Sequence, residues 1–140
     1  MLTRLLYRFA HFGEAYVRYR GKKIKLLIAD NGITQTVGLM YRKRIGTDES
    51  MLFVFGRESY WGIWMYNMNF SIDVVWLDSR GIVVSIARNL KPCKSIFSCK
   101  THVPEKKARY VLEFIAGTKI SKSIVKGMVF PLPKSIKQRN

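Results

Sequence analysis

Acidic residues are scarce in this chain: nine Asp and Glu stand against 25 Lys and Arg in 140 residues, a formal charge of +16. Such a deficit says little about fold, but it sets up a field that attracts phosphates, anionic lipid or acidic partners. Long apolar runs are missing too. No window reaches the roughly 18 apolar residues of a transmembrane helix, and Arg4 and Arg8 interrupt the start before it can form the core of a secretory signal. A cytoplasmic location is therefore expected. Only two cysteines and two histidines are present. Cys93 and Cys99 lie six apart, outside the tight Cys-x-x-Cys spacing of zinc knuckles and thioredoxin-like sites, and a four-ligand zinc site would need both His11 and His102. Two free thiols and a disulfide closing this loop both remain open, ahead of a metal. No glycine-rich phosphate loop and no metalloprotease helix motif occurs, and no cofactor is expected.

What is present describes a folded protein. The apolar fraction is 48% and the aromatic fraction 13%, enough to build one core at this length. The charge is uneven. Residues 1–44 carry ten basic groups and two acids, residues 45–90 three basic groups and five acids, and residues 91–140 twelve basic groups and two acids. Three dense basic stretches stand out: Arg18, Arg20, Lys22, Lys23 and Lys25; Arg42, Lys43 and Arg44; and Lys106, Lys107 and Arg109. Leu2, Leu5, Leu6 and Phe9 follow helical spacing, so a short amphipathic helix is expected there, docked on the domain or lying on a membrane.

Residues 22–30 (KKIKLLIAD) read as a strand ended by Asn31 and Gly32. A short helix follows, with Thr34 as its expected N-cap. Residues 51–55 (MLFVF) suit a buried strand, and residues 63–70 (IWMYNMNF) read as another. Two strands around Asp78 and Gly81 form a hairpin. Residues 89–107 make a long surface loop, a length often linked to function. Residues 108–117 read as a strand with Tyr110, Leu112 and Phe114 on one face and Val111, Glu113 and Ile115 on the other. A short helix over 117–125 and a last strand over 126–132 follow. The expected fold is α+β and mainly β, a small barrel-like sheet with one or two short helices. The expected organisation is a basic amphipathic segment at 1–21, one β-rich domain at 22–132 and a flexible basic tail at 133–140.

Several of these segments, in this order, resemble the family called domain of unknown function 192: GLMYRK at 38–43, MLFVF at 51–55, WMYN at 64–67, IDVVWLD at 72–78 with Gly81 and Val83, Pro92 and Cys93, YVLE at 110–113, and Gly117. The resemblance covers roughly residues 24–130 and implies a compact β-barrel-like α+β domain with no established activity. Tyr66 stands where the family's tryptophan motif has lysine, Met68 where it has threonine, and Ser71 where it has proline. No arginine directly precedes Gly38.

The candidate chemistry is thin for an enzyme. Asp73 and Asp78 are five apart on one extended run and point to opposite faces. Asp73 and Glu113 sit in apolar strands, where a carboxylate must find a donor, such as Asn67 or Arg42, or shift its pKa. The cysteines near His102 lack a recognisable nucleophile turn. In the cluster Tyr60, Trp61, Trp64 and Tyr66, Trp64 is expected with Trp76 in the core and Trp61 towards solvent. These residues support three expectations: a non-catalytic domain binding RNA or single strands through its basic groups, a small-ligand or carbohydrate-binding barrel using Trp61, Trp64, Asn67, Asp73, Glu113 and Arg42, and, last, a hydrolase or redox protein.

Overall fold

The computed structural model describes residues 2–137. Six strands form one sheet: β1 (Gly13–Tyr19), β2 (Lys22–Ala29), β3 (Glu49–Ser59), β4 (Ile72–Leu77), β5 (Val83–Leu90) and β6 (Ala108–Ile115), in the order β1-β2-β3-β6-β4-β5. The sheet is open, with β1 and β5 at its edges, so the barrel-like closure expected from the sequence is absent. Four short helices accompany it: α1 (Leu2–Phe9), α2 (Gly32–Val37), α3 (Lys119–Ser123) and α4 (Lys134–Lys137). The first 21 residues hold α1 and β1, and β1 pairs antiparallel with β2.

Period-two alternation sorts the strands onto two apolar layers. One face gathers Ile24, Leu26, Leu52, Val75, Tyr110, Leu112 and Phe114 beneath Ile120, Ile124, Phe130, Leu132 and Ile136 of the C-terminal segment. The opposite face gathers Ala29, Met51, Phe53, Val74, Trp76 and Val111 beneath Leu39, Ile45, Met65 and Met68. Strands covered on both sides are apolar on both faces, and all six residues of β4 are buried, five of them apolar and the sixth Asp73. That double cover explains the unbroken run at 51–55 as well.

β2 and β3 are parallel, so the chain must cross over between them, and α2 lies in that crossover. Asn31, rather than Thr34, is its N-cap. The Asn31 Oδ1 accepts from the Thr34 amide at 3.0 Å while the Asn31 amide donates to Thr34 Oγ1 at 3.3 Å, a reciprocal capping box. The helix ends at Gly38, whose φ of 49° favours glycine and where an added Cβ would lie 3.1 Å from the Phe53 ring, a tight fit. Asn31→Ala is expected to destabilise the protein by about 1 kcal/mol in urea unfolding.

Elsewhere the reading and the structure part. Residues 63–70 are not a strand: they cross the sheet face as an irregular segment tied by single bridges from Ile63 to His102 and from Tyr66 to Cys93. Residues 126–132 contribute one bridge, Val129 to Ile82, rather than a strand. The supposed tail folds into α4 at 134–137, which buries Ile136; residues 138–140 lie outside the described residues. The β4–β5 hairpin turns on Asp78, whose Oδ1 accepts from the amides of Arg80 and Ile82, with Gly81 at φ 82°. Among the described residues no helix is long and apolar enough to cross a membrane.

Candidate functional site

The register of β6 decides which carboxylates meet. Glu113 lies opposite Met51 and Val74, whereas Asp73 lies opposite Phe114, so the two acids occupy opposite faces of the sheet. They cannot share a substrate as acid and base.

Asp73 is fully committed to the fold. Its Oδ1 accepts from the Asn89 amide at 2.8 Å, and its Oδ2 accepts from the Gly117 amide at 3.0 Å and from Ser121 Oγ at 2.6 Å, with Arg88 Nη1 3.8 Å away. These partners, not Asn67 or Arg42, satisfy its burial. Arg88 in turn donates to the Ser121 and Ile124 carbonyls.

Glu113 is in the opposite position. It is 5% exposed, and among the described residues no hydrogen bond or ion pair reaches its carboxyl group. Burial without a compensating partner pushes its pKa up to about 8, so at neutral pH the group is largely protonated. It lines a cavity of about 340 Å³. The walls come from Phe53 and Phe55 of β3, Val111 of β6, residues 35–40 at the end of α2, Trp61 after β3, and Trp64 and Met68 of the irregular segment. The Trp61 ring stacks on Phe55 with centroids 4.2 Å apart, and its Nε1 donates to the Arg57 carbonyl at 2.9 Å. Trp76 is buried below and donates from Nε1 to the Trp61 carbonyl at 2.8 Å, which fixes the backbone under that ring. Gln35 is held by donation to the Val54 carbonyl.

Of the six ligand-binding candidates, Trp61, Trp64 and Glu113 therefore converge. Trp64 is exposed at the rim, its ring 5.2 Å from Tyr66, instead of filling the core as expected. Asn67 and Arg42 lie elsewhere: Asn67 donates to Thr3 Oγ1 and Tyr41 Oη, and the Arg42 guanidinium sits 5.2 Å from the Phe12 ring. The sequence reading missed Phe53, Phe55 and Gln35. The first two share a face by simple alternation, and only the pairing of β3 with β6 shows that Glu113 is on that face.

The basic residues do not gather into one patch. Arg18 pairs with Lys23 across β1 and β2, Lys23 Nζ sits 4.4 Å from the Tyr16 ring, and Lys25 is bound to Glu14 at 3.3 Å, which raises the lysine pKa. Arg20 lies in the β1–β2 turn with φ 50°, beside Lys22. Lys25 lies beside Glu49 at the start of β3, while Lys106, Lys107 and Arg109 cluster near Ser59 at its far end. Those two groups stand roughly 30 Å apart along the strand. Lys43 and Arg44 follow the crossover helix, and Arg109 donates to the Phe55 carbonyl.

In the long loop Cys93 and Cys99 are joined by a disulfide, so neither is a free thiolate, and Phe97 is exposed at its tip. Nearby, partial burial and Lys100 hold the His102 imidazole below its ordinary pKa.

The model of the DUF192 family, described as "Uncharacterized ACR", matches residues 15–132. Among curated proteins no sequence matches the chain. Two solved structures share its fold. A "putative transcription regulator" from Sinorhizobium meliloti 1021 superposes with a TM-score of 0.71 at 25% identity, covering 84% of this chain and 92% of that one. A protein of unknown function from Novosphingobium aromaticivorans DSM 12444 superposes with a TM-score of 0.68 at 22% identity, covering 83% and 81%.

Proposed function

The chain belongs to the uncharacterised DUF192 family, and we propose that it is a small-ligand-binding domain whose site is the cavity over Glu113. One observation carries this reading: a carboxyl group buried without a partner among the described residues opens into a cavity walled mainly by aromatic and aliphatic side chains. Such a group costs stability, and a ligand that supplies the missing partner recovers part of that cost. The volume suits a small molecule with a flat apolar body between Trp61, Trp64 and Phe55 and one polar head at Glu113. A head bearing an ammonium or another N–H donor fits best, since it favours the ionised carboxylate.

A protonated amine entering this cavity must displace the Glu113 proton, so its affinity rises with pH until the acid of the free protein has ionised, near pH 8. A thermal-shift series with arylalkylamines, which are protonated at both values, and their uncharged isosteres, run at pH 6 and pH 8, is the test. Amines are expected to stabilise the wild type more at pH 8, and Glu113→Gln is expected to lose at least about tenfold in affinity, the worth of one charge-assisted contact. Equal stabilisation of wild type and Glu113→Gln by every compound would remove the reading.

A further inference from the structure

The N-terminal helix α1 buries no residue of its own. It packs beside α2 and is held to the body through Tyr41 and Asn67: Thr3 Oγ1 lies 2.7 Å from Tyr41 Oη, Asn67 Nδ2 donates to Thr3 at 3.3 Å, the Tyr7 ring meets Tyr41 edge-on at 5.4 Å, and the Arg4 guanidinium lies 5.2 Å from the Tyr41 ring. At 100° per residue Leu2, Leu5 and Phe9 fall on a neighbouring arc, and they are 70%, 53% and 60% exposed. An apolar arc that the protein itself leaves uncovered is costly in water unless something else covers it.

The charge around that arc indicates what covers it. Arg4 and Arg8 lie along one side of it on the same helix, and no acid occurs before Glu14. Behind them a cavity of about 420 Å³ separates helix and body, lined by Arg4, Tyr7, Arg8, Tyr41 and Asn69, with no carboxylate among them. The two guanidinium groups are the donors that an oxyanion such as a phosphodiester takes, the Tyr41 hydroxyl being bonded to Thr3 and Asn67 and the Asn69 amide to the Arg42 carbonyl. We infer that α1 seats the protein on an anionic phospholipid surface, with Leu2, Leu5 and Phe9 entering the acyl boundary and a lipid phosphate occupying the cavity between Arg4, Arg8 and Tyr41. Eight residues are far too short to span, so the helix lies in the interface plane. The net charge of the chain strengthens the attraction over a Debye length.

The test is co-sedimentation of the full chain with phosphatidylcholine vesicles, with and without phosphatidylserine, at physiological ionic strength. Wild type is expected to bind the anionic vesicles and not the neutral ones. Arg4→Gln/Arg8→Gln is expected to lower partitioning about thirtyfold, from roughly fivefold per basic residue near the surface. Arg18→Gln/Lys23→Gln removes the same charge far from α1 and is expected to lose less than about threefold, because those residues do not touch the headgroup layer. Leu5→Glu/Phe9→Glu is expected to abolish binding with an unchanged melting temperature, since neither side chain is buried. Vesicle binding by Leu5→Glu/Phe9→Glu at the wild-type level, equal losses in the two charge-neutralised proteins, or equal binding to neutral vesicles would each overturn the assignment. So would a single-stranded RNA that binds through Arg4 and Arg8 while vesicles are ignored.

Discussion

Above pH 8, Glu113→Gln is expected to be more stable than wild type by about 4 kcal/mol, and below pH 4.5 the two are expected to differ by less than about 1 kcal/mol. In the unfolded chain Glu113 ionises near 4.5, whereas in the folded protein burial holds the proton until about pH 8. Between those values the folded state binds the extra proton, so stability falls as pH rises through the window. Above it both states are ionised and the full penalty of a buried, unpartnered charge is present. Glutamine has nearly the same shape and no charge to bury, although its amide must still lose water. Urea unfolding of both proteins across this pH range reads the difference directly. A difference that stays flat between pH 4.5 and 8 would mean that Glu113 finds a partner in solution.

Asp73→Ala is expected to cost about 3–5 kcal/mol, the loss typical of removing one partner from a buried charged network. The carboxylate holds three separate parts of the chain: Asn89 at the end of β5, Gly117 after β6, and Ser121 in α3. Without it the buried Ser121 hydroxyl and the Asn89 and Gly117 amides lose their acceptor, and the Arg88 guanidinium loses the counter-charge 3.8 Å away. Asp73→Asn keeps one acceptor oxygen and is expected to lose about half as much. Equilibrium denaturation checks both, and a loss under about 1 kcal/mol for Asp73→Ala would show that water replaces the carboxylate.

Much of this fold is legible where an element carries its own signal. The β4–β5 hairpin shows in Asp78 and Gly81, and the two faces of β6 in the alternation of Tyr110, Leu112 and Phe114 with Val111, Glu113 and Ile115. The segment at 63–70 misleads because its aromatic and β-branched residues have strand propensity, and only the tertiary setting shows that they cross the sheet face instead of joining it. Trp64 misleads for the same reason: on a strand it would point into the core, and on an irregular segment it reaches the rim. The site itself was half visible. Trp61, Trp64 and Glu113 are readable as residue types, but their meeting depends on β6 lying between β3 and β4, a non-local pairing that no window of sequence contains. Asp73 shows the same limit, since its partners come from the ends of β5 and β6 and from α3.

That placement of β6 also bears on how the chain is made. β3 is complete at Ser59, yet the strand that covers its open edge begins only at Ala108. During translation the apolar run at 51–55 therefore waits for about fifty more residues, or roughly 3–10 s at ribosomal speed, with that edge of the strand available to a second nascent chain. The same strand order that brings Glu113 over the β3 face leaves that edge of β3 unpaired until β6 has been made.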